Sequence, residues 1–337
     1  MDENIDRDKR WLLLVGVEEE LPPRAWRIEQ LRRHVLDLFA SREYDLVIPP
    51  PVEYLESLLI TGDGDLELQT LKLIDQLNGR MMGVCADITP QVARIDARMP
   101  TAHAVNRLCY IGTILKARPD GVQRTRSVMQ FGAEIYGDTG RDGEVEVIQL
   151  MLETLTTAGV RDVYIDLGHV GICAALSAAA GFDEWRKNEI SSLLNKKAAS
   201  DVRGYLTAQK VSDEIARGFM ALLELSGGPE VLDQARSLLG GIPDVAQALD
   251  ELAAVSGRLH AMDILPHHDL AELRGYHYKT GLVFAAFTPG VGQEIVRGGR
   301  YDNIGKVFGR ARPAVGFSGD LKLLAEIASE DGEANAC

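Results

Sequence analysis

Ser127-Val128-Met129-Gln130-Phe131-Gly132-Ala133-Glu134-Ile135-Tyr136 has two unlike faces when it is read at the period of a β-strand. Met129, Phe131, Ala133 and Ile135 share one side and form an ordinary apolar face. Val128, Gln130, Gly132, Glu134 and Tyr136 share the other, which sets an amide and a carboxylate on one wall with a glycine between them. A glycine in a strand leaves space for something to approach the backbone, and here that space is expected to admit a ligand. The face reads equally as the floor of a small-molecule site or as a half-exposed sheet surface that solvates its polar side chains.

Around this stretch the pattern is that of a sheet with flanking helices. Before it, a helix is predicted over Arg24–Ala40, with Ile28, Leu31, Val35 and Leu38 on one stripe. A short strand over Tyr44–Ile48 is stopped by Pro49-Pro50-Pro51. Residues 70–86 read as a hairpin turning at Asn78-Gly79, a pair that favours tight reversals. Thr89 before Pro90 predicts a helix N-cap followed by proline in the first turn. Strands over 107–115 and 127–136 flank a basic loop, and a helix over 143–158 leads to a strand over 163–167. From 171 to 257 the chain is rich in alanine and leucine and is broken by Gly227-Gly228 and Gly240-Gly241. Strand patterns return at 273–287, 296–301 and Val315-Gly316-Phe317. The organisation is an irregular lead-in (1–20), the first part of a sheet domain (21–170), a helical insertion (171–257), the second part of the sheet domain (258–328) and a tail (329–337). The fold class is α+β.

Composition narrows the function. The 337 residues are 46% hydrophobic and 26% charged, as in globular proteins, and carry a net charge of -14. That balance points away from nucleic acid as the main partner. No apolar run approaches the roughly 18 residues of a membrane span. Cys85, Cys109, Cys173 and Cys337 lie far apart with no C-x-x-C, so neither a zinc site nor a disulfide framework is expected. A cytoplasmic protein with no metal and no cofactor is the expectation. His267-His268 is read as a loop position rather than a metal-ligand pair, because adjacent histidines do not share a face at metal spacing. The Gly298-Gly299-Arg300 turn could cradle an anion, but it reads first as part of the fold.

Three ordered segments resemble the catalytic domain of histidyl-tRNA synthetase, a class II aminoacyl-tRNA synthetase. They are the Asn78-Gly79 hairpin running into Ala86-Asp87-Ile88-Thr89; Tyr110-Ile111-Gly112 with the basic loop and Met129 to Gly137; and Leu273-Arg274-Gly275-Tyr276-His277-Tyr278 with Gly298 to Asp302 and Pro313 to Phe317. The resemblance spans about 21–324 and implies an antiparallel sheet flanked by helices. It also implies a pocket for free histidine. Asp87, Thr89 and Gln130 would hold the ammonium and neighbouring polar atoms, and Glu134 would accept from the imidazole. Arg274 would lie near the carboxylate, while Tyr276 and Tyr278 would line the ring pocket. The family's next tyrosine is Lys279 here.

Departures from the resemblance carry as much weight. Lys116 and Arg118 stand where the synthetases place an arginine and a glutamate that hold ATP. Lysine lacks the planar fork of arginine, and Arg118 reverses a charge. Arg124 and Arg126 match, so the loop 116–126 stays basic and is a possible anion-binding or interface loop. Leu323 replaces the phosphate-clamping arginine of the C-terminal motif, and Lys322 its glutamate neighbour. Little or no adenylation is expected. With the chain ending at Cys337, an anticodon-reading module is not expected either. This set of features resembles the family of regulatory subunits of ATP phosphoribosyltransferase. That resemblance implies a non-catalytic subunit, itself dimeric, in a hetero-oligomer with a short-form catalytic subunit, with free histidine as allosteric ligand and neither tRNA nor membrane as partner. A histidine-activating synthetase paralogue and a scaffold that binds no amino acid are the two alternatives. Leu14-Val15 stand where relatives usually carry a proline-containing turn.

Overall fold

The computed structural model describes residues 12–59, 64–99, 105–119, 125–272 and 279–334. Helix α1 (Arg24–Ser41) buries Ile28, Leu31, Val35 and Phe39, so the apolar stripe ends on Phe39, while Leu38 only packs against its margin. Strand β1 is only Asp45–Leu46, shorter than the predicted 44–48; Val47 still donates its N–H to Cys109 O at 2.9 Å, and Pro49-Pro50-Pro51 have no N–H to carry the ladder further. It pairs in parallel with Leu108 and Cys109 of the strand described below. Strand β2 (Val52–Tyr54), the short helices α2 (Leu55–Leu58) and α3 (Gly64–Gln69), and strands β3 (Lys72–Ile74) and β4 (Met81–Val84) form a small side unit. Its three strands run β2-β4-β3, all antiparallel. The predicted hairpin is β3–β4. Gly79 takes φ 76° at the reversal, and the Arg80 N–H bonds to Asn78 Oδ1 at 2.9 Å.

Helix α4 (Thr89–Arg98) leads to strands β5 (Asn106–Leu115) and β6 (Ser127–Tyr136). Helix α5 (Asp142–Thr157) and strand β7 (Tyr164–His169) follow. Six helices come next: α6 (Val170–Ala179), α7 (Glu184–Asn195), α8 (Ala199–Ala208), α9 (Asp213–Leu222), α10 (Glu230–Leu239) and α11 (Pro243–His260). Strand β8 (Ser226–Gly227) interrupts them, and β9 (His267–Asp269) lies after them. Strands β10 (Leu282–Phe287), β11 (Val296–Arg300) and β12 (Ala314–Asp320), with a 3-10 turn over Ile304–Phe308, end in helix α12 (Leu321–Ala334).

The main sheet has nine strands in the order β1-β5-β6-β12-β11-β10-β7-β9-β8. Its centre, β5 through β7, is antiparallel, as the resemblance implies; β1 on β5 and β9 on β7 are parallel additions. His267-His268 therefore belong to a strand, not a loop. His268 is fully buried with Nε2 on Ser256 Oγ at 3.0 Å, and His267 is exposed against Asp166 at 3.0 Å. The Gly298-Gly299-Arg300 turn is likewise strand β11. Arg300 is consumed by Glu144 at 2.6 Å and by the carbonyls of Asp138 and Gly140, which rules out an anion cradle there.

Both faces of β6 are buried. Phe131, Ala133 and Ile135 join the large core with α1, α5 and α12, where Phe131 and Phe39 each meet Phe317 edge-on at about 6 Å. Val128 and Tyr136 join a second core with α4, β5 and the 3-10 turn. The reading of β6 as a half-exposed surface is therefore excluded. The large core runs on without a break into α6–α11. His169 ties the two parts: Nδ1 accepts from the Gly171 N–H at the start of α6, and Nε2 meets Glu251 of α11 at 3.2 Å. This hydrogen bond is the main cause that holds the Glu251 carboxyl down at about 2. No helix among the described residues is long and apolar enough to cross a membrane.

Candidate functional site

Glu134 is the centre of a polar floor on the second face of β6. Pairing across the sheet sets Tyr110 of β5 opposite Gly132, and Gly316 of β12 opposite Glu134. Gly132 does not leave room for a ligand: a Cβ there would overlap the Tyr110 phenol, so the space is already taken by that ring. Gly316 has the corresponding role toward Glu134, since a Cβ at 316 would fall inside the Glu134 carboxylate. Two glycines thus let two side chains lie flat on the sheet and converge.

The carboxylate is served from three elements. Tyr110 Oη donates to Glu134 Oε1 at 3.3 Å, and Thr89 Oγ1 reaches the same oxygen at 3.4 Å and Tyr110 Oη at 3.1 Å. Tyr301, just past β11, donates to Glu134 Oε2. Burial, followed by repulsion from Asp87, nevertheless pushes the Glu134 carboxyl well above its ordinary 4.5, with Tyr110 and Thr89 pulling the other way. Such a group gives up a share of its proton-free character unless a further donor arrives.

Asp87 and Gln130 complete the floor. Gln130 Nε2 donates to Asp87 Oδ1 at 2.8 Å, and Gln130 Oε1 accepts the Ile88 N–H at 2.9 Å. Asp87 Oδ1 also accepts the Thr89 N–H at 3.0 Å. The predicted cap is thus displaced by two residues. Asp87 satisfies the backbone at the start of α4, no side-chain bond from the N-cap Ile88 exists, and the Thr89 hydroxyl is left to face Glu134.

Of the sequence-predicted residues, Asp87, Thr89, Gln130 and Glu134 therefore converge. Arg274, Tyr276 and Tyr278 lie outside the described residues, as does Arg124. Tyr110 and Tyr301 were given no role in the sequence, and both touch Glu134. Lys279 is buried and its Nζ donates to Gly298 O at 2.9 Å. A space of about 20 Å³ remains among Asp87, Thr89, Glu134, Lys279, Arg297 and Tyr301.

A second cavity of about 220 Å³ adjoins the first and shares Asp87, Arg297 and Ser318 with it. Lys116 and Gln130 line it, together with Glu294, Asp320 and Leu323. Asp320 is the residue that sequence reasoning passed over. Its Oδ1 accepts the backbone N–H groups of Met129 at 3.2 Å and Lys322 at 3.0 Å, and burial pushes its carboxyl up to about 6. Lys322 is turned away, onto Glu20 at 3.2 Å. The basic loop divides in the same manner. Arg118 is exposed, whereas Arg126 donates to Lys116 O at 2.8 Å and Val15 O at 3.1 Å, pinning the lead-in segment to the loop. The Leu14-Val15 departure thus supplies a carbonyl to Arg126.

The sheet order, the Glu134 floor and the adjoining cavity define a class II synthetase-like chain. The family model described as histidyl-tRNA synthetase matches residues 16–324. A crystal structure of an ATP phosphoribosyltransferase regulatory subunit/histidyl-tRNA synthetase from Bacillus halodurans C superposes with a TM-score of 0.84 at 26% identity, over 94% of this chain and 83% of that one. A chain of an ATP phosphoribosyl transferase complex from Thermotoga maritima is similar in fold, with a TM-score of 0.65 at 16% identity, over 86% and 96% of the two chains. The ATP phosphoribosyltransferase regulatory subunit of Thioalkalivibrio sulfidiphilus is 52% identical over 324 residues, 95% of this chain and 82% of the relative. The chain belongs to the family of ATP phosphoribosyltransferase regulatory subunits.

Proposed function

We propose that this regulatory subunit, which has no catalysis of its own, reads free histidine on the Glu134 floor and passes the signal to a short-form catalytic subunit. In this reading the hetero-oligomer opens histidine biosynthesis by joining ATP to phosphoribosyl pyrophosphate, and histidine inhibits it by feedback. Two copies of this chain pair within the assembly, in the cytoplasm, with neither tRNA nor membrane engaged. The three described cysteines are buried and free, which suits a reducing compartment.

The single observation that carries the reading is the pairing of an intact floor with an altered neighbour. Asp87, Thr89, Gln130 and Glu134 form one hydrogen-bonded set. The adjoining cavity sets Glu294, Asp320 and Leu323 beside its cations Lys116 and Arg297, where adenylation would need phosphate donors set together. An α-amino acid needs an anion for its amine, a cation for its carboxylate and an acceptor for its ring. Asp87 and Glu134 supply the first and last, and Arg274 is assigned the second.

In this reading, histidine binding rearranges the walls of the space beside Glu134. Binding therefore favours one arrangement of the subunit over another. The shift is limited by the difference in affinity between them, typically about 1–3 kcal/mol of coupling. By linkage, substrates that favour the active arrangement weaken histidine binding.

The test is phosphoribosyl-ATP formation by the cognate short-form catalytic subunit, with and without this protein, across a histidine titration. Stimulation that histidine reverses is expected, with Glu134→Ala raising the histidine required by roughly 10- to 100-fold, the worth of a charge-assisted hydrogen bond. No effect on a competent partner overturns the regulatory reading. Stimulation that histidine leaves untouched reduces the chain to a scaffold.

A further inference from the structure

Lys279 stands where the synthetases place a second tyrosine, and its position in the site is built rather than incidental. Its aliphatic stem crosses strand β11 at Gly299, where a Cβ would lie 3.1 and 3.2 Å from Lys279 Cδ and Cε. Its ammonium group is then held at Gly298 O, 2.9 Å away, with only 8% of the residue exposed. The same small space is bounded by Asp87 and Thr89 from the start of α4, Glu134 from β6, Arg297 from β11 and Tyr301 beyond it. Next along the chain, Thr280 Oγ1 is fixed on Asp302 at 3.1 Å. A tyrosine here would offer a neutral hydroxyl; the lysine offers a fixed cation instead.

We propose that Lys279 is a specificity-determining residue of this pocket, restricting the ligand's side chain to an uncharged ring. This inference rests on the reading of the floor as a histidine site. A second cation entering so small a desolvated space meets the ammonium at close range, and like charges there cost on the order of ten- to a hundredfold in affinity. The imidazole of histidine has an ordinary pKa of about 6.5. The neutral ring therefore binds above that pH, and affinity falls as the ring gains its proton below it. Lysine, ornithine and arginine are excluded by the same charge, which separates histidine from the other basic amino acids without a larger pocket.

Glu134 and Asp87 are the titratable carboxylates facing this space, and Tyr110 and Tyr301 bond to the former. Arg297 is a second fixed cation bounding this space, ion-paired with Glu294 at 3.5 Å, and acts on a charged ring in the same sense as Lys279. Arg274 and His277 lie outside the described residues, and His277 has its own control.

The experiment is calorimetry of the whole protein between pH 5.5 and 7.5 with two ligands: histidine, and 1,2,4-triazole-3-alanine, whose ring stays neutral throughout. In the wild type, histidine affinity falls by about tenfold more than that of the triazole analogue from pH 7.5 to 5.5, because any slope from Glu134 is common to both ligands. Lys279→Met and Lys279→Gln, the second of which keeps a donor for Gly298 O, lose most of that fall, and His277→Gln retains it. A merely structural lysine would weaken both ligands equally at every pH, and equal slopes in wild type and both variants overturn the inference alone. If the wild type binds neither ligand at any pH, the histidine reading fails and the inference falls with it.

Discussion

The two cavities lie on one face of one sheet, share Asp87, Arg297 and Ser318, and differ in how their charges are arranged. Beside Glu134, Tyr110, Thr89 and Tyr301 converge on one carboxylate. In the neighbouring cavity the chain meets its cations with its own anions, Arg297 with Glu294 at 3.5 Å and Lys116 with Asp320, and adds an apolar side chain, Leu323. Preorganised cations are what a phosphate requires, and there Lys116 works against the carboxylate of Asp320, which it draws toward ionisation. One wall has thus kept an amino-acid floor while the other has been refilled. A regulatory subunit can lose the second without losing the first, because Glu134 lies on β6 opposite Gly316 whereas Asp320 stands at the end of β12.

The sharpest way to break this contrast is at Gly316. An added methyl would overlap the Glu134 carboxylate and sit 2.8 Å from Ala133 O. Gly316→Ala is expected to cost about 1–3 kcal/mol of stability and to weaken histidine binding by about 100-fold, as more than one charge-assisted hydrogen bond is displaced. Gly241→Ala, with nothing within 4 Å, is the silent control. The double variant Gly316→Ala/Glu134→Ala should recover part of the stability, a non-additivity expected only if the two groups share one space. Strictly additive melting temperatures would show that Gly316 serves the backbone alone.

The second prediction concerns the refilled wall. Asp320 has its carboxyl raised from 3.8 to about 6, chiefly by burial. A raised folded-state value means that its contribution to stability is fully present below 3.8 and is lost as pH rises through about 6. Asp320→Asn keeps the acceptor for the Met129 and Lys322 N–H groups and removes the charge. The variant should therefore gain on the wild type as pH rises from 4 to 7, by on the order of 1–3 kcal/mol, and the gain should level off above that. Thermal melts across this range test it; a difference that does not vary with pH would mean the carboxylate is well paired and the wall is not self-opposed.

Much of the fold is legible in the sequence where the signal is local. The strand over Ser127–Tyr136 and the reversal at Asn78-Gly79 follow from period-2 alternation and from a dipeptide that accepts positive φ. Thr89 shows where local reading misleads. Its cap role is plausible by composition, but Asp87 reaches the Thr89 N–H first and frees the hydroxyl for the site. β8 and β9 are two and three residues long and are held by pairing with distant partners, so no propensity marks them. Tyr301 meets Glu134 across 167 residues of chain, and the Lys279 stem packs against the bare backbone of Gly299. Such contacts are properties of the sheet register, which one sequence does not display. Asp320 went unnoticed because its significance is the cavity it lines rather than any motif.

The smallest expected effect is also the most demanding test of the comparison. If the second cavity had lost adenylation merely through Lys116 and Leu323, then Lys116→Arg/Leu323→Arg would restore histidine-dependent ATP–pyrophosphate exchange. The geometry argues otherwise. Asp320 would still present a carboxylate to the incoming phosphates, Glu294 would still line the wall, and Arg118 is exposed on the loop rather than turned into the cavity. A restored arginine at 323 has Asp320 close by in the same cavity, so it would pair with the chain's own anion before it met a ligand's. Exchange in the double variant should remain at background, and adding Asp320→Asn should lift it only slightly, because positioning a nucleotide needs several donors set together. Robust exchange from the two arginines alone would show that the site is still organised for ATP, and the division between a kept floor and a refilled wall would have to be withdrawn.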